Sequence, residues 1–405
     1  MRSLRRVAKI VLANLLVLGV GVVAIELCFG AWFGSWYDPR LRVIRDVEYR
    51  TDVRSLYGAS GPAIYRRDQW GLRGNFDDPR QVDIVTLGGS TTDQRFLTEG
   101  ATWQDRLAWR LGAMGHPVAI ANAGIDGQST VGHIAALKGW LFRIPRLHPQ
   151  LVLVYAGIND VLLQYKIDYD GVAASGIIPR SVQYVDHRSA ILGLYQTVVG
   201  MIAAAQGRVV HRPIKLAELD IQWVPTGDLK ALRDAYAQRL DAYESRLETL
   251  GRLIRAWGAV PIFITQPRAD RQLVPGGSIM LMIRNGWMDP ETRVLGLFNE
   301  RTMAFCRRTG ELCIDLAGEL ALGLDDFYDF NHNNPAGAAK IGDYLAAKVF
   351  DQLASHPNRD GRPQWPHHEH GVDKTTSFTT AGAVVGPDPV KARLDLSQKV
   401  WSRSH

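Results

Sequence analysis

The sequence predicts a three-layer α/β/α domain around a parallel five-stranded sheet, with one transmembrane helix at the N-terminus. Three observations support this prediction: an apolar run near the N-terminus, five short segments rich in Val, Ile and Leu, and helical periodicity between those segments. Buried parallel strands read as continuous apolar runs because helices cover both faces of the sheet. Their alternation with helical stretches is typical of an α/β domain.

The apolar run covers residues 10–33 and carries one formal charge, Glu26. At about 1.5 Å per residue it reaches roughly 36 Å as a helix, which is enough to cross a hydrocarbon core of about 30 Å. Four basic residues lie in the preceding segment 1–9, and three aromatic residues stand at the other end. This asymmetry predicts a cytoplasmic N-terminus, a single span of the cytoplasmic (inner) membrane, and a periplasmic main domain.

A cleaved signal peptide is the alternative to this anchor. The run is long for the apolar region of a signal peptide, and no small-x-small cleavage motif follows it. Cys28 could indicate a lipid attachment site, but Leu27 stands where such sites have a small residue. We therefore predict an uncleaved anchor, with Cys28 as an apolar residue of the span.

The positive charge of the chain lies at its two ends. The formal net charge is +6, of which residues 1–9 contribute +4 and residues 355–405 contribute +2. The intervening residues 10–354 are therefore formally neutral and have no basic excess with which to hold a polyanion. This distribution argues against nucleic acid as a partner, and the sequence assigns no oligomeric state.

Five segments are predicted to form the strands, and two to form the clearest helices. The strand segments are 82–89, 117–124, 151–157, 259–267 and 311–316, and the helical stretches are Trp103 to Met114 and Asp228 to Trp257. In the longer helix, apolar residues recur at steps of three and four residues. Gly258 follows directly and is a suitable C-terminal cap.

The chain divides into a basic tail (1–9), the anchor (10–33), a polar and irregular juxtamembrane segment (34–80), the α/β domain (81–354) and a tail (355–405). The last segment lacks periodicity and is rich in Pro, Gly, His and Thr, so we expect it to be disordered. Two stretches, near 162–226 and 268–297, exceed what a minimal domain needs. Both leave the carboxyl ends of strands, where ligands bind in open α/β sheets, so we interpret them as lid or substrate-selecting insertions.

Cys306 and Cys313 are the other two cysteines. An oxidising compartment would allow them to pair, and closing so short a loop would contribute roughly 2.5 kcal/mol in the entropic account. Two unpaired thiols are the alternative.

Ser90 is the candidate nucleophile, because it follows a predicted buried strand in the segment Asp83-Ile-Val-Thr-Leu-Gly-Gly-Ser90-Thr-Thr. Gly88 and Gly89 allow a sharp turn and a close approach of a ligand. At the start of a helix, free N–H groups would favour an oxyanion that develops next to Ser90.

His332 is the candidate base for this hydroxyl. Asp329 lies three residues earlier, so its carboxylate can reach Nδ1 of the imidazole and leave Nε2 free to take the Ser90 proton. Pro335 predicts the start of the final helix just beyond, which places the pair on a loop at the same sheet edge as Ser90. Asp325 and Asp326 compete with Asp329 for the orienting role at a less favourable spacing.

Two further strands end in candidate oxyanion donors. Gly124 ends the second strand in Asn122-Ala-Gly124 and offers a backbone N–H, and Asn159 follows the third strand in Gly157-Ile-Asn159-Asp160 and offers a side-chain amide. The backbone N–H of Ser90 is the third predicted donor.

The ordered blocks GGSTT, NAG, GIND and DxxH resemble the SGNH (GDSL-like) hydrolase superfamily, which implies a flavodoxin-like sheet. Carried over, Ser90 matches the nucleophile, Gly124 and Asn159 match the oxyanion donors, and His332 with Asp329 completes the triad. The first block reads GGST rather than GDSL, as in membrane-anchored envelope members, and the YRRDQWGLRG stretch at 65–74 is similar to that subgroup. The resemblance covers roughly residues 65–350.

This resemblance implies a serine esterase that acts on an O-acylated small molecule or glycan through an acyl-enzyme. Location outside the cytoplasm favours an envelope or exported glycan, with acetyl as the acyl group. A glycan O-acetyltransferase would use the same triad and is the alternative. A non-catalytic glycan-binding or assembly protein on the same fold is disfavoured, because all four blocks retain their functional residues.

The remaining polar residues receive weaker predictions. We expect Asp160 to be a structural hydrogen-bond partner. Gln266 ends the fourth strand and is a secondary candidate for substrate contact. Three histidines without a companion pattern are expected to be core or surface residues: His133, His148 and His187. The tail cluster His367, His368, Glu369 and His370 could bind a metal, but a flexible tail seldom forms a defined site. We predict no cofactor and no metal.

Overall fold

The computed structural model describes residues 2–30, 32–33, 37–41, 43–165, 170, 181–182, 184–185, 188–195, 198, 220–275, 277–283, 286 and 289–355. The predicted tail from 356 onward, with its histidine cluster, and most of the first insertion therefore lie outside the described residues.

The central sheet has five parallel strands, as predicted. They are β3 (Val82–Gly88), β4 (Ala119–Asn122), β5 (Leu151–Tyr155), β7 (Val260–Ile264) and β10 (Leu312–Ile314). Their order across the sheet is β10-β7-β5-β3-β4, so the chain reverses its direction of winding between β3 and β5. A ligand crevice forms at such a switch point, outside the carboxyl ends of the strands.

Helices cover both faces of this sheet and complete the three layers. One face carries α4 (Trp103–Ala113) and α9 (Pro335–Ser355), and the other carries α5 (Thr130–Gly139), α6 (Lys230–Ala256) and α7 (Pro290–Thr309). Strand side chains alternate between these cores: Ile84 packs with α4 and α9, whereas Val85 packs with the other layer. Gly258 follows α6 with φ of 88°, a conformation that favours the predicted glycine cap.

The segment before the sheet is more regular than predicted. Strands β1 (Val47–Thr51) and β2 (Ala63–Arg67) pair antiparallel, and a short helix, α2 (Arg54–Tyr57), lies between them. In β2 the side chains of Ala63, Tyr65 and Arg67 are buried. The expectation of an irregular segment was wrong here because a buried arginine breaks the apolar alternation that marks a strand.

The two predicted insertions meet in one small antiparallel sheet. The first contributes β6 (Ile221–Pro225), and the second contributes β8 (Arg271–Val274) and β9 (Gly277–Ile283), in the order β6-β9-β8. Its centre is anchored to the domain, because Met280 and Leu281 of β9 are buried. Segments distant in sequence thus form one unit beside the carboxyl ends of the central strands.

The N-terminal helix α1 covers Arg2–Phe29. Its part from Arg5 to Phe29 is long and apolar enough to cross a membrane, and a signal sequence would meet the same criterion. Cys306 of α7 and Cys313 of β10 form a disulfide, so the alternative of two free thiols does not hold in this structure. Cys28 is exposed on α1 and unpaired.

Candidate active site

The candidate site begins where β3 meets a one-turn helix, α3 (Ser90–Asp93). In the register of the sheet Gly88 lies beside Tyr155 of β5, so the loops that follow both strands emerge together. Ser90 is the first residue of α3 and remains partly exposed. The hydroxyl therefore stands at the crevice that the strand order creates.

Three side chains form a continuous hydrogen-bonded chain at this point. Oγ of Ser90 lies 2.7 Å from Nε2 of His332. On the other side of the ring, Nδ1 lies 2.7 Å from Oδ2 and 2.9 Å from Oδ1 of Asp329. Oδ1 also accepts the backbone N–H groups of Asn331 (2.8 Å) and His332 (2.7 Å). The turn around Asp329 thus fixes both the carboxylate and the imidazole.

The imidazole plane is held from one side by Tyr328. The two rings stack with centroids 5.6 Å apart and an interplanar angle of 8°. Tyr328 is buried, and this burial raises the pKa of its hydroxyl well above the ordinary value, so the phenol stays neutral. The rings of Phe96 and Tyr57 pack against Tyr328, with centroids at 6.5 and 6.1 Å.

The competing carboxylates have other partners. Asp326 is buried and pairs with Lys340 at 2.8 Å, while Oδ2 accepts the Gly323 N–H. Asp325 is exposed, and its backbone carbonyl oxygen accepts a side-chain N–H of Asn334. Within the described residues, Asp329 is the carboxylate that contacts the imidazole.

The turn before Ser90 has no room for a side chain. A Cβ at position 89 would overlap the side-chain amide of Asn159 and lie 3.2 Å from the carbonyl oxygen of Gln128. Glycine at this position therefore lets the Asn159 amide stand directly beside the residue that precedes Ser90.

The predicted oxyanion donors differ in their availability. Asn159 donates one side-chain N–H to the carbonyl oxygen of Gln128 at 2.9 Å, which leaves its second N–H for another acceptor. Gly124 is buried and its backbone N–H is donated to Oδ1 of Asn122 at 2.9 Å. This geometry disagrees with the predicted role of Gly124, because the amide already has an acceptor inside the protein.

Gly127 offers an amide that the sequence analysis overlooked. It precedes Gln128, is partly exposed, and has φ of 78°. Among the described residues no acceptor contacts its N–H. The sequence analysis assigned the donor role to Gly124, the first glycine after β4. The loop continues for three more residues before it reaches Gln128, whose carbonyl oxygen contacts Asn159.

Comparison with known proteins gives the family. The sequence matches the GDSL-like lipase/acylhydrolase family over residues 86–340. The chain belongs to this family. It is therefore a serine hydrolase, and the resemblance seen in its four blocks is confirmed. No curated protein matches the chain.

Similar solved structures have low sequence identity. An acetylxylan esterase from Geobacillus stearothermophilus is 14% identical, with a TM-score of 0.38, over 67% of this chain and 96% of that one. A GDSL-like lipase from Bacteroides thetaiotaomicron is 11% identical, with a TM-score of 0.36, over 68% and 91%. A lipolytic G-D-S-L family protein from Veillonella parvula is 14% identical, with a TM-score of 0.37, over 67% and 100%.

A buried ion pair between Arg67 and Asp93 lies beneath Ser90. The sequence did not predict it. Arg67 of β2 donates to Oδ1 of Asp93 at 2.5 Å and to the Gly124 carbonyl oxygen, while the Tyr65 hydroxyl donates to the same carboxylate at 2.9 Å. Burial alone would raise the pKa of Asp93, but Arg67 with Arg95 outweighs it and holds that pKa below its ordinary value. The aspartate is therefore ionised at the last residue of α3.

Arg73 fixes the backbone on the exit side of α3. Its guanidinium donates to the carbonyl oxygens of Asp93 (2.8 Å), Gln94 (3.0 Å) and Leu97 (2.6 Å), and it pairs with Glu99 at 2.8 Å. The stretch 65–74, which resembles the membrane-anchored subgroup, thus supplies two buried arginines, Arg67 and Arg73. Both support the short helix that begins at Ser90. Only the fold shows which groups they bind.

Gln266 was the candidate for substrate contact, but its side chain is buried and bonded inside the protein. It is buried, donates to the Thr91 hydroxyl at 2.9 Å, and accepts the Ile158 N–H at 2.6 Å. It therefore joins the end of β7 to the residue after Ser90 and to the residue before Asn159. Its side chain is occupied in holding these two loops at a fixed distance.

Asp160 is a structural residue, as expected. It is buried, accepts the Thr130 hydroxyl at 2.5 Å, and pairs with Arg246 at 3.1 Å. Asp170, in the first insertion, accepts the Ser129 N–H and hydroxyl, each at 2.8 Å, and burial raises its pKa to about 6. Both carboxylates brace the start of α5 rather than the imidazole.

Among the histidines that the structure describes, His332 is the one that contacts Ser90. Burial lowers the pKa of His133 to about 3, so this core residue is neutral. His148 is exposed, and His187 lies outside the described residues. No group of three or more His, Cys, Asp or Glu side chains that could hold a metal occurs in the part of the chain that the structure describes.

Proposed function

We propose that the chain is a membrane-anchored, extracytoplasmic serine esterase that hydrolyses an O-acyl ester, with an acetylated envelope or exported glycan as its substrate. The observation that carries this proposal is the hydrogen-bonded chain from Ser90 Oγ through His332 to Asp329, with both contacts to the ring at 2.7 Å. This order of groups makes a hydroxyl nucleophilic at neutral pH.

The first half-reaction follows from these contacts. Ser90 Oγ attacks the ester carbonyl carbon as its proton moves to Nε2 of His332. Asp329 keeps the Nδ1–H oriented and stabilises the imidazolium that forms. The carbonyl oxygen becomes an oxyanion, which the Ser90 N–H and the second N–H of Asn159 stabilise. The Gly127 amide, rather than that of Gly124, supplies the third donor.

Collapse of this intermediate breaks the ester bond and leaves the acyl group on Ser90. The imidazolium gives its proton to the departing sugar oxygen. A water molecule then loses a proton to Nε2 and attacks the acyl-enzyme, which releases the carboxylate and restores Ser90. A sugar hydroxyl in place of water would give O-acetyl transfer.

The glycan substrate rests on two features. The apolar helix α1 supports anchorage with the domain outside the cytoplasm, where glycans of the envelope or exported glycans lie. The rings of Tyr57 and Phe96, which pack against Tyr328, are partly exposed and offer aromatic surface for the apolar face of a sugar or for a short acyl group.

The test compares Ser90→Ala with the wild-type full-length chain in detergent. Hydrolysis of 4-nitrophenyl acetate should fall by about 10⁶-fold, since loss of the nucleophile removes the acyl-enzyme route. Ser245→Ala, at an exposed position of α6, is the matched control and should keep full activity. Retained hydrolysis in pure Ser90→Ala would contradict the proposal.

The substrate is tested with O-acetylated glycans, with and without an added acceptor sugar. Mass spectrometry should detect free acetate in equal amounts under both conditions, because water is the proposed acceptor. Acetyl groups on the added sugar in place of acetate would instead identify a transferase. Release from 4-nitrophenyl acetate without release from any glycan would contradict the glycan assignment alone.

A further inference from the structure

The last turn of α1 is joined to a distant part of the chain through Glu26. Oε1 of Glu26 accepts the Ser189 hydroxyl at 2.6 Å and the Ile191 N–H at 3.2 Å. Oε2 accepts the Ala190 N–H at 2.9 Å and the indole N–H of Trp32 at 2.8 Å. Four donors from residues outside α1 thus converge on the single carboxylate of the apolar helix.

The position of Glu26 along α1 fixes where these donors lie. Glu26 stands three residues before Phe29, the last residue of the helix, which corresponds to about 4.5 Å along its axis. If α1 crosses a bilayer, this carboxylate lies at the edge of the hydrocarbon, where a charge needs hydrogen-bond donors. Residues 189–191 supply them and must therefore reach the same depth.

The chain on both sides of residues 189–191 exposes large apolar side chains. The exposed fractions are Val182 63%, Tyr184 51%, Val185 42%, Leu194 65%, Tyr195 64% and Val198 44%. Soluble surfaces rarely present so many such residues within one short stretch. Residues 190–195 are helical, and the Ser189 hydroxyl accepts the Leu192 N–H at the start of that turn.

Aromatic contacts continue from α1 into this stretch. The rings of Trp32 and Tyr184 lie 6.2 Å apart, and the guanidinium of Arg188 stands 3.9 Å above the Tyr184 ring. Tryptophan, tyrosine and arginine are the residues that favour the boundary between lipid and water. The exposed apolar surface is thus continuous with the end of the membrane-spanning helix.

We propose that the described residues between Ser181 and Val198, here called the interfacial segment, insert their apolar side chains into the bilayer leaflet at which α1 ends. The inference rests on the proposed membrane span. The apolar side chains of the interfacial segment contact lipid rather than a protein partner, because the hydrogen bonds to Glu26 set the segment at the depth of that leaflet. The first insertion is then a second membrane contact of this hydrolase.

The experiment places a fluorophore in the full-length chain within nanodiscs that hold one copy each. A Cys28→Ser background removes the exposed thiol, and Leu194→Cys carries the environment-sensitive dye NBD. Val17→Cys, on α1, reports the span itself. Trp109→Cys, at an exposed apolar residue of α4, is the matched control.

NBD at position 194 should show a blue-shifted emission that is quenched by lipids with a nitroxide near the headgroup. NBD at position 17, in the middle of the span, should be quenched by lipids with a nitroxide near the end of the acyl chain. NBD at position 109 should keep the emission it has in water. Quenching at position 17 without quenching at position 194 would overturn this inference and leave the span intact, and so would a blue shift at 194 without lipid quenching. No quenching at position 17 would overturn the span and the inference together.

Discussion

The two ends of the short helix α3 carry polar groups with opposite properties. At its first residue, the partly exposed Ser90 contacts His332, which Asp329 holds from the other side. At its last residue, Asp93 is buried and pairs with Arg67. Only two residues of the chain thus separate a hydroxyl at the crevice from a carboxylate inside the protein.

The difference lies in which partner can change its protonation state. Arg67 remains a cation at any pH at which the protein is folded, so the pair with Asp93 carries fixed charges. The imidazole of His332 can take the Ser90 proton and return it, so the chain through Asp329 can carry the proposed reaction. The ion pair at Asp93 supports α3, while the proposed reaction takes place at Ser90.

Asp329→Asn, which acts at the Ser90 end of α3, is expected to have the largest effect, and that effect is a loss of kcat. An amide beside Nδ1 no longer selects the tautomer that leaves Nε2 free, so kcat should fall by about 10⁴-fold, as is typical of this change in serine triads. The melting temperature should stay near that of the wild type, because the amide oxygen can still accept the backbone N–H groups of Asn331 and His332. A fall in kcat of less than tenfold would show that Asp329 does not orient the base.

In contrast to Asp329→Asn, Arg67→Met should mainly lower the free energy of unfolding. It leaves Asp93 as a buried charge without its closest partner, which costs about 3–5 kcal/mol of unfolding free energy. Urea unfolding of the full-length chain in detergent measures this loss. Unchanged stability together with lost activity would show that Arg67 belongs to the reaction rather than to the support of α3.

The same pair predicts how this loss depends on pH. In the wild type the pKa of Asp93 is lowered, so its contribution is present above the ordinary pKa of an aspartate and is lost as the pH falls through the folded value. In Arg67→Met burial raises that pKa, and protonation then relieves the penalty. The stability difference between wild type and variant should therefore be larger at pH 7 than at pH 4, and an equal difference would contradict the charge pairing.

Asn159→Ala tests the reacting end of α3 by a smaller change. Loss of one oxyanion donor should lower kcat by about 10²–10³-fold, with little effect on KM, because the contact forms only in the transition state. The side chain also donates to the carbonyl of Gln128, so Asn159→Asp, which removes both N–H groups but keeps the shape, is the companion variant. Full activity in both would remove Asn159 from the oxyanion site.

The sequence predicted those parts of the molecule whose determinants are local. The five strands follow from runs of Val, Ile and Leu, and the contact between Asp329 and His332 follows from a separation of three residues. The approach of Ser90 to His332, across 242 residues, was predicted because each follows a strand of one parallel sheet and so lies at the same sheet edge, and the family resemblance agrees.

Residues whose roles depend on contacts that only the fold shows were missed or were given another role. A buried arginine such as Arg67 looks like a surface residue until the fold brings Asp93 to it. Gln266 ends a strand as a substrate-binding residue would, but its amide is consumed by Thr91 and Ile158. Gly124 carries the right backbone group, and only the position of the Asn122 side chain shows that its N–H is occupied.

Covalent labelling tests whether His332 activates Ser90 as a nucleophile. The full-length chain is treated with a fluorophosphonate at pH 7.5, and intact and peptide mass spectrometry locate the adduct. We expect one adduct, on Ser90, which forms at least 10³-fold more slowly in His332→Ala because the base is gone. An adduct on another residue, or labelling of Ser90 at an equal rate in both proteins, would contradict it.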